Sequence, residues 1–157
     1  MPKYSPKPLE QRNARPNPPH SSRPKSAMDI QKNIIKHIDG LGSFKDYYIR
    51  DLVNHAEEFG NFLRSERLET NQVRKFLDAI NQLKTELTKD NDFKQIETGV
   101  VLLKPKLAYA AARQKAAKPL SQVMSKAIDK VETTQDFERL VQFIESIIAY
   151  HKAAGGK

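Results

Sequence analysis

The segment that decides the fold is "TTQDFERLVQFIESIIAYHKAAGGK", which runs from Thr133 to Lys157. Its first four residues match a capping box, in which a threonine and an acidic residue satisfy free N–H groups where a helix begins. Apolar side chains then recur at three- and four-residue steps, as on the buried face of a helix. They are Phe137, Leu140, Val141, Phe143, Ile144, Ile147 and Ile148. With Gly155 and Gly156 as stop residues, the pattern predicts a helix over about 134–152.

The same spacing predicts further helices on the N-terminal side, and no segment shows the period-two alternation of a strand. The predicted segments are about 27–39, 44–65, 71–89, one that begins near Asp92, and 119–131. Ser43 is the expected cap of the second helix, and Tyr48 is expected on its buried stripe. Thr70 or Asn71 is expected to cap the third.

Pro105 interrupts the fourth predicted segment. A proline removes one backbone hydrogen bond and clashes with the carbonyl four residues earlier, so we expect a kink or a restart there. Pro119 suits the first position of the next helix. The predicted fold is therefore all-α, a compact bundle of five or six helices over 27–157.

Residues 1–26, "MPKYSPKPLEQRNARPNPPHSSRPKS", form a separate compositional unit. Seven of the nine prolines lie here, and six Lys or Arg face one acidic residue, so this segment holds +5 of the net charge of +8. Tyr4 and Leu9 are its only sizeable apolar side chains, too few to offset the entropy of ordering it. We expect a disordered basic arm, whose role is open.

Composition excludes several classes of function. The 157 residues contain no cysteine, which rules out thiolate catalysis, disulfides and cysteine zinc sites. The four histidines never stand three or four residues apart, and "GLGS" lacks the lysine of a phosphate-binding loop. No apolar run approaches the roughly 20 residues that span a bilayer. We therefore expect a cytoplasmic protein that is not an enzyme and holds no metal or cofactor.

A basic segment, "KPKLAYAAARQKAAK", extends from Lys104 to Lys118 without a carboxylate. At about 100° per residue, Lys106, Tyr109 and Arg113 lie on the face opposite the apolar stripe, and Lys104 and Lys115 flank them. Such a row can bind phosphates and stack on a base or sugar. An ordinary solvated helix face has the same pattern, so the spacing alone leaves both interpretations open.

A second basic group lies earlier in the chain. Arg74 and Lys75 project from the first turns of the helix that begins with "NQVRKF". Arg64 and Arg67, just upstream, add to the same patch if the helices fold back on each other. Ordinary amphipathic charge is the alternative here.

Three blocks resemble, in order, those of the small subunit of type III-A CRISPR effector complexes, the Csm type. The blocks are "ETNQVRKFLDAI" (69–80), "LLKPKLAYAAARQ" (102–114) and "LVQFIESIIAYHKA" (140–153), and the resemblance covers about 44–153. The family implies a helical bundle without a catalytic site. Several copies stack along the guide RNA and its paired target, while other subunits cut.

The resemblance also implies functional positions. Arg74, the Lys104–Arg113 row and Lys152 match the family's pattern, whereas Ala112 replaces a frequent glycine. The arm has no counterpart in that pattern. Together, composition and resemblance give the following candidate RNA-binding residues: Arg64, Arg67, Arg74, Lys75, Lys104, Lys106, Tyr109, Arg113 and Lys152.

The expected function is that of a non-catalytic subunit that contacts the RNA backbone without sequence preference, because the guide alone should select the target. Its expected partners are the guide and target RNA, the other effector subunits and further copies of itself, with no membrane. The alternative is a helical scaffold or regulator whose basic face docks an acidic protein.

Overall fold

The computed structural model describes residues 27–157. The predicted arm, residues 1–26, lies outside the described residues. Seven α-helices follow one another: α1 Ala27–Asp39, α2 Ile49–Ser65, α3 Arg74–Asp90, α4 Phe93–Val101, α5 Leu103–Arg113, α6 Lys118–Ile128 and α7 Thr134–Ala153. Short 3-10 turns occupy Phe44–Asp46, Thr70–Val73 and Lys115–Ala117, and this part of the chain contains no strand. The all-α prediction is confirmed, with six helices if the two halves of the predicted fourth segment, α4 and α5, are counted together.

The most extensive helix pairing in the described chain joins α2 to α7. Gly60 allows it, because a Cβ there would lie 2.7 Å from the Ile147 carbonyl oxygen and 2.8 Å from the His151 backbone nitrogen. The His151 imidazole is fully buried, and its Nε2 lies 2.6 Å from the carbonyl oxygen of Leu68. The seam between α2 and α7 thus holds the turn that leads to α3.

The buried Asp136 carboxylate ties the start of α7 to the Phe44–Asp46 turn. It accepts backbone N–H bonds from Lys45 at 2.7 Å, Glu132 at 2.9 Å and Thr133 at 3.1 Å. Burial alone would raise the pKa of Asp136, but these donors, with the hydroxyl groups of Thr133 and Ser43, hold it below its ordinary value. The predicted capping box at Thr133 is confirmed, since its hydroxyl accepts from the Asp136 N–H at 3.1 Å.

Two predicted helix starts are wrong. Tyr48 is 58% exposed and precedes α2 in an extended conformation, because Tyr47 enters the core instead and the helix begins only at Ile49. Ser43 accordingly precedes the 3-10 turn, where its N–H donates to the Asp46 carboxylate at 3.2 Å. Helix α3 begins at Arg74, because the chain forms the Thr70–Val73 turn first.

The predicted restart near Pro105 is confirmed, although the helix breaks three residues earlier. Helix α4 ends at Val101, and Leu102 separates it from α5. Pro105 is the third residue of α5, where a missing N–H matters less than in a helix interior, and its absent bond would have reached the Val101 carbonyl. The break leaves Val101 and Leu102 exposed by 53% and 47%.

Candidate nucleic-acid interface

A groove of about 580 Å³ separates the beginning of α3 from the C-terminal half of α5. One wall is the stretch from Asn71 to Phe76, and the other runs from Lys106 to Gln114. Where the two walls meet, Gln72 Nε2 donates to Gln114 Oε1 at 3.3 Å. The groove brings the outward row of α5 and the pair Arg74 and Lys75, which are far apart in the sequence, to one place.

The α3 wall is fixed by apolar anchors. Val73 and Phe76 are each only 1% exposed. Arg74 and Lys75 stand between these anchors and are exposed, since neighbouring positions on a helix point in different directions. Packing therefore holds the two cations at the rim of the groove.

The α5 wall shows the outward row that the spacing predicts. Leu103 and Leu107 are buried, whereas Lys106, Tyr109 and Arg113 are exposed. The Arg113 guanidinium carbon lies 5.8 Å from the centroid of the Tyr109 ring, within range of a cation–π contact. The tyrosine is 61% exposed even so.

The charge in the groove has no internal counterpart. Among the described residues that line it, four are Lys or Arg and none is acidic. The first turns of α3 and α5 contain no acidic residue either. Since a helix N-terminus already carries partial positive charge, Arg74 and Lys75 at the start of α3 add to the potential instead of offsetting it. The arrangement suits an external polyanion.

Four of the nine candidates lie outside the groove, and two of these are Lys104 and Lys152. The Lys104 Nζ lies 2.6 Å from Asp129 Oδ1, so this ammonium faces α6. Lys152 is exposed in the last turn of α7, where a cation interacts favourably with the helix dipole. Each of these two lysines therefore has an ordinary structural explanation.

Arg64 and Arg67 line a smaller depression of about 270 Å³ with Leu68, Glu69 and residues 155–157. Arg67 adopts φ 68°, the left-handed conformation that usually falls to glycine after a helix. The Leu68 N–H donates to the Leu63 carbonyl and the Arg67 N–H to the Arg64 carbonyl, both at 3.0 Å. Because Glu69 lines this depression and Asn71 the groove, only a short turn separates the two cationic surfaces.

Sequence reasoning missed the polar part of the groove. Asn71, Gln72 and Gln114 line it, and two of these are separated by 42 residues. Amide side chains are common on solvated helix ends, so neither spacing nor composition distinguishes them. Their role depends on tertiary contact between the Thr70–Val73 turn and the end of α5.

A partly buried polar cluster lies apart from the groove. The Tyr47 hydroxyl is 2.6 Å from His55 Nδ1, and the His37 ring stacks 4.8 Å from that of Tyr47. Burial, with a smaller contribution from Asp51, raises the pKa of Tyr47 well above its ordinary value. The cluster joins α1 to α2.

Within residues 27–157, no three His, Asp or Glu side chains gather as metal ligands. No helix in this range is long and apolar enough to cross a membrane. The absence of enzyme activity and the cytoplasmic location stay predictions.

Comparison with known proteins agrees with the resemblance seen in the three sequence blocks. The family model described as Csm2 Type III-A matches residues 46–157. A Streptococcus thermophilus protein named CRISPR system Cms protein Csm2 is 30% identical over 101 residues, which are 62% of this chain and 78% of that protein. The family match includes all of α2 to α7, and with them both walls of the groove. The chain therefore belongs to the Csm2 family of type III-A CRISPR systems.

Proposed function

We propose that the chain is the non-catalytic, RNA-binding small subunit of a type III-A CRISPR effector complex. The groove between α3 and α5 contacts the backbone of the guide RNA and its paired target in antiviral defence. The observation that carries this proposal is the convergence of Arg74, Lys75, Lys106 and Arg113 on one groove that, among the described residues, no acidic side chain lines.

The interaction is independent of nucleotide sequence. Lys and Arg side chains bind phosphate oxygens, which are the same at every nucleotide, and this leaves target choice to the guide. Arg64 and Arg67 continue the cationic surface beyond the short turn at Glu69. Lys104 and Lys152 belong to the interface only if the RNA extends past the groove.

One subunit neutralises few phosphates, so its own affinity for RNA is low. Several copies along one duplex bind more tightly, because each bound copy raises the effective concentration of the next binding site. The other effector subunits complete the complex and perform any cleavage.

A salt titration of the reconstituted complex on two unrelated guide–target pairs tests the proposal. Affinity falls as salt rises, so log K has a negative slope against log salt. Replacing Lys106 and Arg113 by alanine should make this slope shallower by roughly 0.7–0.9 for each phosphate that is no longer neutralised, equally on both pairs. Circular dichroism should show unchanged helix content, since alanine is the best helix former and both positions are exposed.

The matched control replaces Lys89 and Lys94, two exposed lysines outside the groove, by alanine. It removes the same charge and should leave the slope nearly unchanged. If both double variants make the slope shallower by the same amount, the effect is one of general charge, and the proposal that RNA binds in the groove is refuted. Retained RNA binding with loss of an acidic protein partner would instead support the scaffold alternative.

A further inference from the structure

A shallow depression of about 340 Å³ adjoins the groove and shares Lys75, Lys106 and Tyr109 with it. Its other two lining residues are Leu102 and Pro105, so it is mostly apolar. Tyr109 therefore stands between two surfaces of different character. The groove, which also contains Arg113, is cationic and rich in amides, whereas the depression combines hydrocarbon with two ammonium groups.

The apolar part of this surface results from the break between α4 and α5. Leu102 and Tyr109, which line it, and Val101, the chain neighbour of Leu102, are three of the five large apolar side chains that are exposed in the described chain. Single exposed apolar residues are ordinary, but a cluster beside a charged groove indicates a binding surface. Pro105 adds a rigid apolar ring to it.

We propose that this depression holds one unstacked nucleobase of the RNA, an inference that rests on the proposed function. The base stacks on the Tyr109 ring and packs against Pro105 and Leu102. Lys75 and Lys106 bind the phosphates on either side of it. Every base has an aromatic face, so such stacking adds affinity without reading sequence.

Charge favours a nucleobase over a protein side chain in this depression. Two of its five described lining residues are lysines and none is acidic. A nucleotide brings an apolar ring and its own anionic phosphates in one covalent unit, which matches apolar walls with a cationic rim. Because Lys75 and Lys106 also line the groove, a single strand can lie along both surfaces.

Photocrosslinking with 5-iodouridine, which reacts with a stacked aromatic side chain, tests the proposal in the reconstituted complex. The label is moved one nucleotide at a time through the target strand and, in a second series, through the guide. We expect a crosslink that peptide mapping assigns to Tyr109, and the series that gives it identifies the strand.

Substitutions make the test quantitative. Tyr109→Leu should abolish the crosslink and weaken RNA binding roughly 5- to 150-fold for one base–aromatic stack, whereas Tyr109→Phe should retain both. Tyr48→Leu is the matched control, since Tyr48 is 58% exposed and lines neither the groove nor the depression.

The outcomes separate the two proposals. If Tyr109→Leu changes neither crosslinking nor affinity while the Lys106 and Arg113 variant lowers the salt slope, the base site is wrong and the backbone interaction stands. If neither variant has an effect, both proposals fail. Loss of another protein subunit from the Tyr109→Leu complex, without any RNA crosslink to Tyr109 in the parent, would make the depression a protein-docking surface and overturn the inference.

Discussion

The seam between α2 and α7 and the groove between α3 and α5 follow opposite rules. In the seam, His151 Nε2 has a carbonyl partner at 2.6 Å, and next to it, at the start of α7, Asp136 accepts three backbone hydrogen bonds. In the groove, four Lys or Arg, two of them in the first turn of α3, have no acidic neighbour among the described lining residues, and Tyr109 is exposed. Sites that break local rules in an otherwise consistent fold are usually functional. Substitutions in the seam should therefore affect stability, and those in the groove should affect binding.

The largest expected effect on stability is that of Asp136→Asn. The amide keeps the side-chain shape but removes the charge and turns an NH₂ group toward backbone donors. Hydrogen bonds to a buried charge are strong, so we expect the variant to lose about 2–4 kcal/mol of unfolding free energy at pH 7. Urea denaturation measures the loss, and Asp129→Asn, in an exposed ion pair with Lys104, should lose less than about 1 kcal/mol.

The pH dependence of stability in the parent and in Asp136→Asn tests the same carboxylate. The folded-state pKa of Asp136 is lowered, so its contribution is full above the unfolded pKa of about 3.9 and is lost as the pH falls through the folded pKa. The difference in unfolding free energy between the parent and Asp136→Asn should stay constant from pH 7 to about 5 and become smaller only below about pH 4. A difference that narrows already near pH 6 would point to a histidine instead.

Gly60→Ala should have the next largest effect. Alanine is favoured over glycine in a helix by about 1 kcal/mol, but here its Cβ would meet backbone atoms of α7 that cannot move aside separately. We expect a net loss of about 1–3 kcal/mol, visible as a lower thermal midpoint. Gly42→Ala is the control, because its nearest contact would be an ordinary 3.5 Å. Equal midpoints for the two variants would show that α2 and α7 do not need glycine.

The sequence predicts most of the fold because helix stripes and caps are local. The start of α7 at Thr133 and the cap of α4 at Asp92, which accepts from the Lys94 N–H at 3.1 Å, both follow from neighbouring residues. The prediction for Tyr48 is wrong because a helical wheel assumes that the helix has already begun. Whether Tyr47 or Tyr48 enters the core depends on the turn that precedes α2.

The site is predictable to a smaller extent for the same reason. The row of Lys106, Tyr109 and Arg113 lies on one helix, so its spacing suffices. Two other features depend on how the helices pack: Arg74 and Lys75 lie across the groove from the α5 row, and Lys104 pairs with Asp129. These contacts between helices cannot be inferred from the spacing of residues along the chain.

Arg67→Gly should separate stability from binding. Glycine adopts positive φ without strain, so this variant should gain about 0.5–1 kcal/mol of unfolding free energy. If Arg67 contacts RNA, the negative slope of log K against log salt should become shallower by roughly 0.7–0.9. Asn91→Gly, at the other positive-φ non-glycine position of the described chain, should change stability little and leave RNA binding as it was. Lower stability in Arg67→Gly would show that the arginine side chain holds the turn.

A gain in stability, with a large loss in binding, is expected from Arg74→Glu combined with Lys75→Glu. Acidic residues in the first turn of α3 interact favourably with the helix dipole, so each should add about 0.3–1 kcal/mol. Two reversed charges in the groove should at the same time strongly reduce RNA binding. Lys89→Glu, in the last turn of α3, should do the opposite: it should lose about 0.3–1 kcal/mol and leave RNA binding nearly intact. Thermal melts and salt titrations of these variants compare the two ends of one helix. If Arg74→Glu with Lys75→Glu destabilises the fold as Lys89→Glu does, the groove cations serve the structure, and the contrast between seam and groove fails.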